Sequence, residues 1–435
     1  MSTLYTARLV LTQDDARTQI QDGAILVDGQ AIVAVGTSNR LRREYPDAIV
    51  SNLGNTVILP GLINAHTHVA MSFIRGMGDD KSLFDWLHED VFPAEAKLTP
   101  EMQTIGCRIS LAELIRTGCT AFYDMYMRQD VLADVTAQIG LRAVIGESLT
   151  HFFPSVNGPT LEKTLDLIRA RIERTRSNPL LRHAITPHAV YTTDPAYLVK
   201  LREFADETGS LFYMHMSETR TETQENLRTY GKRPIPYCHE LGILRDDTSL
   251  AHCVDVDEGD LEILRKTGAI PVHNPSSNLK LASGILPMQA FLHVGIPVAI
   301  GTDGPASNNA QNLFREMWIA ALLAKYSSGN PASFSAQLAL DLATRNGAAA
   351  LHNPFIGSLE PGKQADFCAL SLDTPSFLPD NNTLSNLVYA SSGYENRLTV
   401  VAGRELYRDG RFLTLDYETL LAEARSISHA RPHDC

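Results

Sequence analysis

Several side chains that can bind a divalent metal occupy comparable places in the sequence. His66 and His68 form a His-x-His pair, and residues two apart point to the same side of an extended segment. Two imidazoles placed in this way can bind one cation at about 2.0–2.1 Å each. Four further candidates each follow a short apolar run: His188, His215, His252 and Asp303. The residue types and their shared placement predict a metal site.

The apolar runs that precede these residues have the length of strands, and helical patterns separate most of them. The helix that begins at Thr99-Pro100-Glu101 carries an N-cap residue, a proline and an acid in its first turn. Alternating strands and helices predict an α/β protein with a (β/α)8 TIM-like barrel, and an open doubly wound sheet is the alternative. Barrel enzymes place their active sites at the carboxyl ends of the strands, which is where the candidate ligands fall. The predicted strands are 57–59, 120–123, 142–145, 184–186, 211–214, 249–251, 270–272 and 298–300.

Both ends of the chain have the pattern of short strands. Residues 24–27 and 31–35 flank an Asp-Gly turn, which favours a hairpin. Residues 365–370 and 398–413 return to strands and turns. The two ends are therefore predicted to form one small β-sandwich domain from residues 1–57 and 359–435, and residues 58–358 are predicted to form the catalytic barrel.

Composition limits the classes of function. The chain has 435 residues, 44% of them hydrophobic and 20% charged, which excludes a largely disordered protein. A net charge of −12 argues against nucleic acid as a partner. The sequence has no apolar run long enough for a membrane span and no secretory signal pattern, and its six cysteines include no C-x-x-C pair. A cytoplasmic protein with reduced thiols is predicted, and a homo-oligomer stays open.

The sequence resembles the amidohydrolase superfamily, and within it the branch of methylthioadenosine/S-adenosylhomocysteine deaminases and triazine hydrolases. The resemblance covers the whole barrel and extends into the β domain. The matching stretches are 64–68, 75–80, 86–87, 93–95, 124–126, 215–219, 231–234, 273–281, 301–309 and 357–366.

The chemistry of the site follows from the residue types and from this resemblance. His66, His68, His215 and Asp303 suit one divalent ion, with Zn²⁺ preferred and Fe²⁺ as the alternative. A second ion is not expected, because no lysine stands at the end of strand 4 to bridge it. A metal-bound water becomes hydroxide near neutral pH, and Asp303 can accept its proton. The resemblance implies that Glu218 shuttles a proton to the substrate. It also implies that His252 holds the attacking water, unless His252 is itself a ligand.

The resemblance also suggests the substrate contacts. His188 would contact a purine, Trp86 would line the pocket and Glu95 would bind ribose hydroxyls, beside Glu218 and Asp303. The members that accept S-adenosylhomocysteine are expected to carry basic residues after strand 3.

This chain has Glu147 and Phe152-Phe153 in that segment. The sequence therefore predicts deamination of a 5′-methylthioadenosine or adenosine-type nucleoside, with S-adenosylhomocysteine less favoured. The alternatives are deamination of a guanine- or pterin-like ring, chloro- or aminohydrolysis of a triazine, and a non-catalytic structural role.

Overall fold

The computed structural model describes residues 2–151 and 160–429, so Phe152 and Phe153 lie outside the described residues. The strands of the described chain form three sheets. They are β1 (Thr3–Thr6), β2 (Leu9–Leu11), β3 (Gln19–Gln21), β4 (Gly23–Asp28), β5 (Ala31–Thr37), β6 (Ile49–Asn52), β7 (Thr56–Pro60), β8 (Leu62–Thr67), β9 (Cys119–Tyr126), β10 (Arg142–Leu149), β11 (Leu181–Pro187), β12 (Leu211–Met216), β13 (Thr248–His252), β14 (Ile270–His273), β15 (Ala299–Ile300), β16 (Phe367–Ser371), β17 (Asn396–Val401), β18 (Arg404–Arg408) and β19 (Arg411–Phe412).

The helices lie mainly between the barrel strands. They are α1 (Ser38–Glu44), α2 (Leu83–Trp86), α3 (Phe92–Glu95), α4 (Pro100–Arg116), α5 (Gln129–Ile139), α6 (Leu161–Thr175), α7 (Pro195–Thr208), α8 (Arg220–Tyr230), α9 (Pro234–Glu240), α10 (Glu258–Thr267), α11 (Pro275–Lys280), α12 (Met288–His293), α13 (Pro305–Asn308), α14 (Leu313–Ser328), α15 (Ala336–Leu342), α16 (Arg345–Ala350), α17 (Thr383–Tyr389) and α18 (Tyr417–His429). The predicted start of α4 is confirmed, since the Thr99 hydroxyl accepts the backbone N–H of Met102 at 3.2 Å.

Strands β8 to β15 form one parallel eight-stranded sheet in sequential order. A parallel bridge between Thr67 and Asp303 brings the end of β8 to the residues that follow β15, so the sheet curls into a barrel. Buried residues from many strands fill its interior, among them Ile63, Tyr123, Val144, Tyr213 and Val272. The prediction of a TIM-like barrel is confirmed.

The first barrel strand differs from the prediction. Residues 57–59 belong to β7, which pairs antiparallel with β16 and parallel with β2, outside the barrel. The first barrel strand is β8, which pairs with β9 and contains His66. Apolar composition could not separate the two, because Val57–Leu59 and Leu62–Ile63 are equally buried. Gly61 separates them, and a Cβ there would lie 2.0 Å from the Thr120 hydroxyl.

The two chain ends do meet. Strands β5, β4, β1 and β6 form one sheet, and β19, β18, β17, β16, β7, β2 and β3 form another. An apolar layer lies between them and includes Tyr5, Ile25, Ile58, Phe367 and Leu398. This arrangement confirms a β-sandwich built from both ends. The predicted boundaries at 57/58 and 358/359 stay predictions, and β7 crosses the first of them.

A buried ion pair connects the barrel to the sandwich. The Arg142 guanidinium at the start of β10 donates to both carboxylate oxygens of Asp366, at 2.8 and 3.1 Å. Asp366 precedes β16 and also accepts the backbone N–H of Ala402 at 2.7 Å. Such a bidentate ion pair fixes the orientation of the barrel strand relative to the sandwich. Among the described helices, none is both long and apolar enough to cross a bilayer.

Candidate active site

The predicted metal ligands meet at the carboxyl end of the barrel. His66 lies in β8 and His68 follows it, while His215 and His252 lie in β12 and β13. Asp303 follows β15, and its backbone N–H donates to the His66 carbonyl at 3.0 Å. This contact sets the last strand against the first at the point where the ligands converge.

The candidate ligand atoms lie close enough together to bind one metal ion. Oδ1 of Asp303 lies 3.2 Å from Nε2 of His66 and 3.2 Å from Nε2 of His68. Nε2 of His68 lies 3.4 Å from Nε2 of His215. Ligand atoms of His66, His215, His252 and Asp303 all lie within 4.8 Å of one another. The structure therefore places His252 beside three of the predicted ligands.

The outer nitrogens of three imidazoles are held by acceptors. Nδ1 of His68 donates to the Met125 carbonyl, and Nδ1 of His215 donates to the His188 carbonyl at 2.8 Å. Nδ1 of His252 donates to the Asn278 side-chain oxygen at 2.8 Å. A hydrogen bond at Nδ1 leaves the Nε2 lone pair facing the cluster, as metal-binding histidines require.

The chemistry of the donor set fits a cation. Both ring nitrogens of His66 are fully buried and make no well-aligned hydrogen bond within the described residues, although Nε2 lies 3.2 Å from Oδ1 of Asp303. Burial lowers the pKa of His66 to about 4, so its imidazole is neutral and able to donate a lone pair. Burial opposes protonation of His68 too, but the neighbouring Asp303 and Asp124 outweigh it and raise its pKa to about 9 without a cation. A buried nitrogen without a partner is costly, and a bound cation would satisfy it.

Both oxygens of Asp303 are held. Its Oδ2 accepts the hydroxyls of Ser277 and Ser307 at 2.6 and 3.0 Å, while Oδ1 accepts the backbone N–H of Gly304 at 2.8 Å and faces the histidines. Burial alone would raise its pKa, but the adjacent imidazoles of His66 and His68 outweigh that effect and hold it well below the usual range. Asp303 has φ +60°, a left-handed conformation that is uncommon for a residue with a side chain.

Glu218 lies beside the cluster, two residues after the end of β12. Its side chain is buried, Oε1 accepts the Ser283 hydroxyl at 3.1 Å, and Oε2 lies 3.6 Å from Nε2 of His252. Burial raises its pKa, which favours a protonated carboxyl group. A group that holds a proton and faces a cavity can act as a general acid.

A cavity of about 530 Å³ opens above these residues. His188, Trp86 and Glu95, which the sequence assigned to the substrate, all line it together with His68, His215, Glu218, His252 and Asp303. The His188 ring lies 4.7 Å from that of His215, so His188 is close to the cluster. Trp86 is 5% exposed and belongs to the hydrophobic core, so the same side chain packs against the core and forms part of the cavity wall.

Glu95 belongs to the helical segment between β8 and α4, which forms one wall of the cavity. Burial raises its pKa to about 7, and the nearby Tyr126 hydroxyl works in the opposite direction. Tyr126 also lines the cavity. A carboxylate in an apolar wall can accept paired hydroxyl groups from a ligand.

Glu147 is not in this cavity, and the interpretation that placed it near the substrate is wrong. Its side chain accepts the backbone N–H of Arg128 at 2.9 Å and that of Gln129 at 3.3 Å. It also forms an ion pair with Arg171 at 2.5 Å, outside the barrel. Alternate residues of a strand face opposite sides, so Glu147 points outward, while Ser148 lines the cavity.

The structure identifies cavity residues that the sequence analysis did not assign. Tyr126 is the last residue of β9 and Arg128 follows it, and both line the cavity together with Tyr191, which follows β11. Arg128 brings a cation to this wall, where its Nη1 donates to the Leu98 carbonyl at 2.8 Å. The rule that barrel strands end at the active site would have pointed to residues 124–128 as a group.

Comparison with known proteins agrees with this geometry. A sequence model of the amidohydrolase family matches residues 57–406, and one of the bacterial imidazolonepropionase-like composite domain matches residues 23–48. The chain belongs to the amidohydrolase family. It is 45% identical to 5-methylthioadenosine/S-adenosylhomocysteine deaminase of Nitratidesulfovibrio vulgaris strain Miyazaki F, over 98% of this chain and 96% of that protein. The resemblance inferred from the sequence is confirmed.

Solved structures extend the comparison. An adenosine deaminase from Xanthomonas campestris with bound zinc shares 32% identity and a TM-score of 0.94, over 98% of each chain. Atrazine chlorohydrolase from Arthrobacter aurescens shares 24% identity and a TM-score of 0.91, over 98% of this chain and 99% of that one, which shows the common fold. This amidohydrolase is therefore a hydrolytic aminohydrolase, and the non-catalytic alternative is set aside.

Proposed function

We propose that this amidohydrolase hydrolytically deaminates the adenine ring of a nucleoside, with 5′-methylthioadenosine, S-adenosylhomocysteine and adenosine as the substrate class. The observation that carries the proposal is the convergence of a His/Asp cluster and the buried acid Glu218 on one cavity. Two of the relatives described above are deaminases of adenosine-type nucleosides, which supports the choice of ring. Five described cysteines are buried free thiols, which is consistent with the cytoplasmic location that we also propose.

We assign one divalent ion, preferably Zn²⁺ with Fe²⁺ as the alternative, to His66, His68, His215 and Asp303. Three nitrogens and one carboxylate oxygen are a typical donor set for zinc. His188 occupies the end of β11, where a bridging lysine would be needed for a second ion. A divalent ion held there would act as a Lewis acid and lower the pKa of water toward neutrality.

The residues around the cluster then divide the proton transfers. Glu218 gives its proton to the adenine ring nitrogen N1 while a water oxygen bonds to C6. Asp303 accepts a proton from that water, and its serine contacts on Oδ2 leave Oδ1 directed at the cluster. His252, oriented by Asn278, stabilises charge at the attacking water. Asp303 then passes its proton to the exocyclic nitrogen, whose bond to C6 breaks so that ammonia leaves. The C6 hydroxyl gives its remaining proton back to Glu218 as the carbonyl of the product forms.

The cavity wall selects the rest of the substrate. Glu95 binds the ribose hydroxyls, Trp86 lines the pocket and His188 contacts the ring. The second oxygen of a carboxylate lets Glu95 accept both hydroxyls at once. These roles favour a nucleoside over a free base or a triazine, neither of which has a ribose.

Replacement of Glu95 by glutamine should lower kcat/KM for 5′-methylthioadenosine and adenosine by about 10- to 100-fold, since hydrogen bonds to a charged group contribute about 1.5–3 kcal/mol. Adenine itself should be affected less than about threefold, because it presents no ribose hydroxyls. Ammonia release from a panel of nucleosides, free bases, pterins and triazines measures both effects. The control is Glu89→Gln, an exposed acid in the same segment. Turnover of free bases or triazines alone would contradict the nucleoside proposal.

We further propose that Arg128 binds the carboxylate of a homocysteine tail. The earlier preference for a neutral 5′ group depended on Glu147, which lies outside the cavity, and on two phenylalanines outside the described residues. A guanidinium forms strong, oriented hydrogen bonds with a carboxylate.

Arg128→Gln should therefore lower kcat/KM for S-adenosylhomocysteine about tenfold or more, and leave 5′-methylthioadenosine within about threefold. Steady-state kinetics on both nucleosides, with exposed Arg176→Gln as the control, would measure the difference. Equal losses for the two substrates would refute this role for Arg128.

A further inference from the structure

Three buried glutamates bind the segments that follow barrel strands. Glu147 accepts the backbone N–H groups of residues 128 and 129 after β9. Glu316 accepts the N–H and the hydroxyl of Ser276 after β14, at 3.0 and 2.7 Å. Glu222 accepts two N–H groups after β12, from Ser217 at 3.0 Å and from Glu218 at 2.7 Å. Each carboxylate thus joins two donors of one active-site segment.

Glu222 is the member of this group that contacts a candidate catalytic residue. It lies in the first turn of α8 and is 2% exposed. The Thr219 hydroxyl accepts the Glu222 N–H at 3.1 Å, so the helix start is fixed as well. The described residues form no ion pair with Glu222. Burial raises the pKa of Glu222 to about 7, and the backbone N–H groups of Ser217 and Glu218 work in the opposite direction. A buried carboxyl group is costly unless its oxygens find hydrogen-bond donors, and here the backbone supplies them.

The backbone explains why two acceptors are needed here. Ser217 has φ +50°, a left-handed conformation that turns the chain sharply after the strand. The turn leaves the N–H groups of Ser217 and Glu218 without the strand or helix partners that buried N–H groups normally find. The two oxygens of Glu222 bind one N–H each and so define the direction in which the Glu218 side chain leaves the backbone.

We propose that Glu222 is a positioning residue that holds Glu218 in reach of the reacting ring. Glu222 accepts the backbone N–H of Glu218 and does not contact its carboxyl group. The Glu218 side chain extends the other way, to Ser283 and His252 on the cavity side. The proposal rests on the proposed function, because it assigns Glu222 its role through proton transfer by Glu218.

The test is a double-mutant cycle with the metal-loaded enzyme. Glutamine at position 222 keeps the size of the side chain, but its amide nitrogen cannot accept an N–H. Glu222→Gln is expected to lower kcat for 5′-methylthioadenosine by about 10- to 100-fold, as misplacement of a reacting group does, with KM changed by less than about threefold. In a Glu218→Gln background the same change is expected to alter kcat by less than about twofold, because the two residues act as one unit. Glu225→Gln, on the exposed face of α8, is the matched control.

Metal content and the thermal midpoint are measured on every variant. If Glu222→Gln does not fold, Glu222→Asp replaces it in the cycle, since it keeps the charge but shortens the reach. An unchanged kcat, a loss confined to KM, or equal losses with and without the Glu218 carboxyl would overturn the positioning role. Full activity of Glu218→Gln alone would instead refute the proton transfer assigned under the proposed function.

Discussion

Replacement of Glu218 by glutamine is expected to lower kcat by about 10²–10⁴-fold, the usual contribution of general acid–base catalysis. Glutamine has the same shape and can still accept the Ser283 hydroxyl through its oxygen. It cannot release a proton to a ring nitrogen. The metal should remain at the level of the unsubstituted enzyme, because Glu218 is not among the proposed ligands.

Two measurements make this expectation specific. Elemental analysis gives the metal content of the purified variant, and steady-state kinetics give kcat at saturating nucleoside. Glu225→Gln controls for loss of a negative charge on the neighbouring helix and should keep full activity. A Glu218→Gln enzyme with its metal and more than about a tenth of the original kcat would show that another group carries the proton.

Replacement of His66 or His215 by alanine is expected to abolish metal binding and to lower activity by at least about 10³-fold, because without the ion water keeps a pKa near 15.7 instead of about 7. The His66 ring is fully buried, and its Nε2 lies 3.2 Å from Oδ1 of Asp303, so its removal takes away a ligand at the centre of the cluster. The same loss should follow treatment with a chelator, and added Zn²⁺ should restore activity. The intact enzyme should contain about one ion per chain, in agreement with the one proposed site.

The same series separates the roles of His68 and His252. His68→Ala should lose metal, whereas His252→Ala should retain it and lose activity, because His252 is assigned to the attacking water. His293→Ala, an exposed histidine on α12, should change neither metal content nor activity. Metal loss in the His252 variant would show that His252 is a ligand. Two ions per chain would contradict the assignment of a single metal site.

The barrel and the placement of its ligands could be predicted from the sequence because both depend on local patterns. Apolar runs at regular intervals define parallel strands, and the residue after each run lies at the carboxyl edge of the sheet. His215, His252 and Asp303 therefore converge although they are far apart in the sequence. The joining of both chain ends in one sandwich also followed from strand patterns, because unpaired strands need partners.

Other features depended on contacts between distant residues. Adjacent apolar runs at 57–59 and 62–63 look alike, and only their pairing assigns the first to the sandwich and the second to the barrel. Glu147 was misplaced because a strand alternates its faces, and a shift of one residue exchanges cavity and exterior. Arg128 was not recognised as a cavity residue. The turn that brings it to the cavity wall depends on a hydrogen bond from its backbone N–H to Glu147, which lies on the following strand.

The sequence by itself thus predicted the candidate donor atoms, the reaction class and the edge of the barrel at which these residues lie. The tertiary structure decided which donors share one volume, since His252 joins the cluster through the curvature of the whole sheet. It also decided what holds Glu218, because the carboxylate of Glu222 meets its N–H only once α8 has formed after β12. Side-chain direction at a strand end is set by these packed neighbours, whereas the position of the strand end is set by local sequence.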